Sequence, residues 1–146
     1  MAGSPAKAIL DTSIYLSFLR KGADIQDLNF LLRPTLLYMS SVVFIELYAG
    51  ARDRLSLQRL NRLYRTFDGL GRLISPDNEV WFRAARVLQQ FGIRHGFEET
   101  GLARLTHDIL IAMTARKIGA TVFTRNARDF ERIRALQNFQ LQVYEN

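Results

Sequence analysis

An α/β fold, one parallel sheet with helices on both faces, is predicted by three features of this sequence. Short apolar runs of strand length alternate with longer stretches of helical periodicity. Residues suited to capping follow three of those runs directly, at Asp11, at Ser40 or Ser41, and at Asn126. The 146 residues, 48% of them hydrophobic, are enough to bury one sizeable core and too few for two ordinary domains. A single domain over 1–146 is expected, without linker, repeat or low-complexity segment.

Ala8-Ile9-Leu10 reads as the first strand, and Asp11-Thr12-Ser13 provides the turn into a helix over Ile14 to Leu19. Leu36 to Ser40 repeats the plan, with a helix carrying Val42 to Ala49 and a stop near Gly50. From Arg54 to Leu70, leucines 55, 57, 60 and 63 with Phe67 and Leu70 recur at mostly helical spacing, with arginines between them. That pattern predicts an amphipathic helix, part core and part basic surface. Leu73-Ile74 forms a short strand before Pro76-Asp77, and Val80 to Phe91 reads as a further helix whose signal weakens around Gly92 to Gly101. Trp81 and Phe82, at its start, are assigned to the core rather than to base stacking. Thr106 is taken as the cap of a helix running through Asp108 toward Lys117 and stopping at Gly119. Ala120 to Thr124 is a buried strand, Asn126 caps a short helix over Asp129 to Ile133, and Phe139 to Tyr144 is the last strand.

Twenty Lys and Arg against fourteen Asp and Glu give a formal charge of +6, which favours an anionic partner such as nucleic acid. Lys7, Lys21 and Lys117 are the only lysines, so the excess is carried by arginine, whose planar fork suits phosphate. The absence of cysteine excludes disulfides and thiolate zinc sites and is compatible with a reducing cytoplasm. No apolar run approaches the roughly 18 residues a membrane span needs, and the first residues lack the hydrophobic core of a signal peptide. An intracellular protein with no membrane partner is expected.

In an open α/β sheet, ligands collect at the carboxyl ends of the strands. Asp11 follows the first strand, Glu46 lies about one helical turn after the second, Asp108 is expected in the first turn of its helix, and Asn126 and Asp129 follow the fourth strand. Four distant positions can therefore meet at one edge. Asp11, Asp108 and Asp129 also suit helix N-termini on structural grounds alone, whereas Glu46 stands inside the apolar run Val42 to Leu47. Crowded carboxylates repel, and Mg²⁺ or Mn²⁺, which prefer oxygen ligands, would offset that repulsion. With such an ion no cysteine, histidine or serine nucleophile is required.

The phrases AILDTSIYLSFL, SSVVFIELYAG and LTHDILIAMTARKIGATVFTRNARDFERI resemble the successive motifs of PIN domains, above all those of VapC-type toxins, over nearly the whole chain. The third is the most specific: an acid before an LIA-type helix, then a glycine, an apolar strand and T-R-N-x-x-D-F. The resemblance implies a single PIN-like domain with a five-stranded parallel sheet flanked by helices. It implies an endoribonuclease in which Asp11, Glu46 and Asp108 are metal-site acids, with Asp129 as the fourth acid and Asn126 as hydrogen-bonding support. Thr12 matches the hydroxyl residue beside the first aspartate, and Thr124 the threonine opening the fourth motif. The asparagine common after the D-T pair is Ser13 here, which questions a supporting contact. The resemblance also implies RNA as substrate, a small cognate antitoxin and a homodimer.

An Asp-nucleophile phosphatase would place a second aspartate where Ser13 stands, and a receiver domain would need an acidic pair and a lysine that are not found. The alternative kept is a catalytically weak PIN-like module that binds RNA or protein. Arg125 and Arg128 flank Asn126 and are candidates for holding substrate phosphates. His107 is read as structural because its neighbour Asp108 points about 100° away on a helix, and His95 as a loop residue.

Overall fold

The computed structural model describes residues 5–22, 33–96 and 100–144. β1 (Lys7–Leu10) leads through Asp11 into α1 (Thr12–Arg20). β2 (Leu36–Ser40) leads without a break into α2 (Ser41–Gly50), and α3 (Arg54–Gly69) precedes β3 (Leu73–Ile74). Two long helices follow, α4 (Asn78–His95) and α5 (Leu102–Ile118), then β4 (Ala120–Thr124), α6 (Ala127–Leu136) and β5 (Gln140–Val143). The sheet has five strands in the order β3-β2-β1-β4-β5, and every pairing in it is parallel. The expected fold class, single parallel sheet and strand positions are all observed.

β1 lies at the middle of the sheet, and its residues explain why: Ala8, Ile9 and Leu10 are at most 1% exposed, which only a strand covered on both faces requires. Its neighbours β2 and β4 place Leu37, Met39 and Val122 in the same core. Chain order reverses between β1 and β4, so the carboxyl ends of β2, β1 and β4 share one rim, the place where such sheets bind ligands.

The helices start where short polar side chains close their first turn. Asp11, Ser40, Asp53 and Asp77 each accept a hydrogen bond from a backbone N–H two or three residues on, satisfying donors the helix leaves open. At α5 the expectation fails. The helix begins at Leu102 behind Gly101, whose φ of 88° glycine tolerates without strain. Thr106 stands inside the helix and donates its hydroxyl to the Leu102 carbonyl at 2.8 Å. Asp108 is therefore in the second turn. Every residue from Asp108 to Ala115 is buried, so α5 is a central helix wedged between the sheet and its helical neighbours.

One assignment to the core is corrected. Trp81 and Phe82 are 52% and 66% exposed, because α4 turns Val80, Ala84 and Val87 inward. On α3, Leu60, Leu63 and Phe67 are buried while Leu55 and Leu57 face outward, as does Leu70 at its C-cap, so the helix is part core and part surface as its periodicity predicts. α4 also continues past the weakened signal at Gly92 as far as His95; residues 97–99 of that stretch lie outside those described. Among the described residues no helix is long and apolar enough to cross a membrane.

Candidate functional site

A cleft of about 540 Å³ opens over the shared rim of β1, β2 and β4, with Asp11, Glu46, Asp108 and Asn126 in its lining. Asp11 enters it because β1 ends there: its extended backbone caps α1, and its carboxylate turns back over the first helical turn. Oδ1 accepts from Ser13 Oγ at 2.6 Å and from the Ile14 N–H at 3.2 Å, and Oδ2 accepts from Thr124 Oγ1 at 2.5 Å. Burial pushes the Asp11 pKa up, and these same bonds hold it down. Capping and site placement are thus one arrangement.

Glu46 reaches the cleft from α2, and its Oε1 accepts a 3.1 Å hydrogen bond from Thr12 Oγ1. His107 Nδ1 lies 3.7 Å from the same oxygen. His107 and Asp108 do leave α5 in different directions, but His107 turns toward Glu46, a contact that sequence position did not suggest.

Asp108 is only 6% exposed. Burial pushes its pKa up to about 8, reinforced by the charges of Asp11, Glu46 and Asp129 and opposed by Arg104. Three acids distant from it in sequence are therefore close enough to act on Asp108 electrostatically. The Asn126 side-chain amide ties the last of them in: Nδ2 donates to Asp129 Oδ2 at 3.1 Å and lies 3.5 Å from Asp108 Oδ2. Asn126 takes the cap position of α6 without capping it, because its side chain is used between these carboxylates.

Thr124 is fully buried. Its hydroxyl donates to Asp11 and accepts from the Asn126 N–H at 2.9 Å, so it positions site residues from beneath, out of a substrate's reach. Ser13 fills the place of the family's asparagine: besides donating to Asp11, it accepts the Arg125 N–H at 3.1 Å. Ser13 thus supplies supporting contacts of its own to Asp11 and Arg125. The Arg125 guanidinium lines the cleft and donates to Ser17 Oγ at 2.8 Å. Arg128 and Asp129 line an adjoining recess instead. Arg104, which sequence reading missed, lines both; it stands one helical turn before Asp108, a spacing that becomes informative only once α5 is known to start at Leu102.

Among the described residues no three acidic or imidazole side chains are already drawn together as a coordinating set. The donor chemistry nevertheless fits a hard divalent cation: the acids offer only oxygen, and the repulsion that adds to the effect of burial on Asp108 is what a cation would relieve.

Comparison with curated proteins finds no match. Among solved structures, the chain is similar to one in the complex of VapBC2 from Rickettsia felis with a DNA fragment from their promoter, with a TM-score of 0.68 and 23% identity, covering 95% of this chain and 99% of that one. It is similar, with a TM-score of 0.68 and 21% identity, to a chain of DNA-bound VapBC from Salmonella typhimurium, covering 94% and 98%. A third similar chain belongs to VapBC-5 from Mycobacterium tuberculosis, described as a member of the VapBC family of toxin-antitoxin systems, with a TM-score of 0.61 and 16% identity, covering 96% and 100%. These likenesses show the fold. Residues 8–136 match the PIN domain, and the chain therefore belongs to the PIN-domain family, whose members are nucleases.

Proposed function

We propose that this protein is a divalent-metal-dependent endoribonuclease and the toxin of a VapBC-type pair. The observation that carries the reading is the meeting of Asp11, Glu46 and Asp108, from three different helical segments, around one cleft in a chain of net charge +6. In this reading Asp11, Glu46 and Asp108 hold Mg²⁺ or Mn²⁺, with Asp129 contributing charge through the Asn126 amide. A bound ion supplies positive charge at the scissile phosphate and acidifies water there.

The remaining residues position and bind. Thr12 and His107 orient Glu46, while Ser13 and Thr124 fix both oxygens of Asp11. Arg125, on the cleft wall, meets the phosphate on either side of the cut, and Arg128 meets the strand beyond it. The toxin reading adds a small antitoxin that occludes the cleft, a homodimer, and action in the cytoplasm; it is supported by the family and by the fold shared with VapBC chains.

A second reading, a PIN-like module that binds RNA or protein without cutting, is favoured by one observation: no coordinating set is already assembled among the described residues. Incubating RNA with the protein in Mn²⁺, in Mg²⁺ and in excess chelator separates the two. The nuclease cuts only with metal and loses at least about a hundredfold in rate in Asp11→Asn, Glu46→Gln and Asp108→Asn. Undiminished cutting in chelator, or in all three variants, overturns the metal assignment, and RNA binding without cutting in any condition favours the module. The toxin reading requires a small reading frame beside the gene, and expression in cells with and without its product tests it: harmless expression of demonstrably active protein overturns it.

A further inference from the structure

Beside the acidic cleft lies a second depression of about 230 Å³, lined by Arg104, Arg128 and Arg132 with Phe91 and His95. Arg128 and Arg132 are four residues apart on α6 and so share a helix face, and Arg104 comes from α5 opposite. No described carboxylate forms a salt bridge with any of the three; the ion pairs among the described residues involve Arg83, His107 and Lys117. Phe91, 6% exposed, gives the recess an apolar wall, and the His95 ring stands 4.6 Å from it, centroid to centroid.

The two depressions are contiguous. Arg104 lines both, and the bond from Asn126 in the cleft to Asp129 in the recess joins their walls. Arg20, Lys21 and Arg125 stand around the acids of the cleft, and Arg128 and Arg132 continue the basic lining past Arg104 into the recess, beside Asp129. A polymer with a phosphate at each nucleotide follows such a run, which an isolated small anion does not. Arginine is the residue whose several donors fork around a phosphate.

We propose that this recess is a second nucleotide subsite, in which Arg104, Arg128 and Arg132 hold a backbone phosphate of the single-stranded RNA whose neighbouring segment occupies the acidic cleft. The inference rests on the ribonuclease reading for the identity of the ligand. It assigns Arg104 and Arg132 to substrate binding and gives the strand a direction of travel, across the Asn126–Asp129 pair.

Binding of a short, fluorescently labelled single-stranded oligoribonucleotide, measured by anisotropy in chelator over a range of salt, tests the subsite without requiring cleavage. Arg132→Gln should weaken binding several-fold and Arg128→Gln with Arg132→Gln further, with the slope of log K against log salt reduced by up to about 0.7, the loss of one phosphate contact to a single strand. Arg59→Gln, on α3, is the control for diffuse charge. With Mn²⁺ present, Arg132→Gln should raise KM and leave kcat unchanged. A slope and affinity unchanged in Arg132→Gln, or an equal fall in Arg59→Gln, overturns the subsite. Reduced slopes in a protein that cuts no RNA sustain the subsite and overturn the nuclease reading alone.

Discussion

Thr12 Oγ1 donates a 3.1 Å hydrogen bond to Glu46 Oε1, joining the first turn of α1 to the middle of α2 across 34 positions of sequence. Glu46 thereby has its direction set by a residue adjacent to another acid of the cleft, Asp11. Thr12→Val keeps the shape and removes the donor. Cleavage should fall about 10- to 100-fold, the usual cost of losing a partner that orients a metal-site carboxylate, while Thr12→Ser should retain most activity. Single-turnover rates of both variants check this; equal rates in Thr12→Val and wild type would make the contact incidental.

Asp108 makes stability depend on pH with a definite sign. Its folded pKa of about 8 lies above the ordinary 3.8, so the folded state holds the proton more tightly than the unfolded chain. The resulting penalty is fully present above about pH 8 and fades as pH falls through the folded pKa toward the unfolded one. Metal-free Asp108→Asn should therefore be more stable than wild type at and above neutral pH, by on the order of a few kcal/mol at most, and should lose cleavage. Mg²⁺ should stabilise wild type more than the variant. Thermal unfolding in chelator and in Mg²⁺, from acid to mildly alkaline pH, reads both; a less stable metal-free variant with an unchanged response to Mg²⁺ would make Asp108 a structural residue.

Asn126 sits where one more carboxylate would face Asp108 and Asp129. Asn126→Asp should lower the metal-free melting temperature by several degrees, on the order of 1 kcal/mol, and tighten Mn²⁺ binding by about tenfold. Calorimetric titration with Mn²⁺ measures the second effect, and affinity equal to wild type would remove Asn126 from the cation's surroundings.

Tyr15 is 2% exposed, and its hydroxyl has no hydrogen-bond partner among the described residues. Leaving a buried hydroxyl unpaired costs about 1–3 kcal/mol. Tyr15→Phe should accordingly match or exceed wild type in stability by about 1 kcal/mol, with cleavage unchanged. Chemical denaturation is sufficient to decide it, and a clear loss of stability would reveal a partner for that hydroxyl.

The parts of the site legible in the sequence are those announced by local signals. Asp11 and Asn126 follow apolar strands directly, and Glu46 stands out as an acid in an apolar run. What the sequence hid depended on rotation about helices. The start of α5 was misplaced because Thr106 resembles a cap, and the unbroken burial from Asp108 to Ala115 leaves no amphipathic period from which to find the helix's ends. Arg104 and the direction of His107 were lost with it. Trp81 and Phe82 were placed in the core by their apolar character, although the buried face of α4 is formed by Val80, Ala84 and Val87. Ser13 departs from the family pattern in residue type, yet its one hydroxyl both donates to Asp11 and accepts from Arg125, a double use that no pairwise comparison of residue types reveals.

The position of β1 at the middle of the sheet gives the protein an uneven resistance to local opening. The outer strands, two residues of β3 and the half-exposed β5, carry none of the four acids. Fraying there leaves the carboxylates undisturbed, whereas separating β1 from β4 parts Asp11 from Thr124. Amide exchange at Leu73 and Gln140 should therefore proceed by small rim fluctuations, while the amides of Ile9 and Val122 exchange only when the whole domain unfolds. The rim that carries Asp11 is thus tied to the last part of the molecule to open.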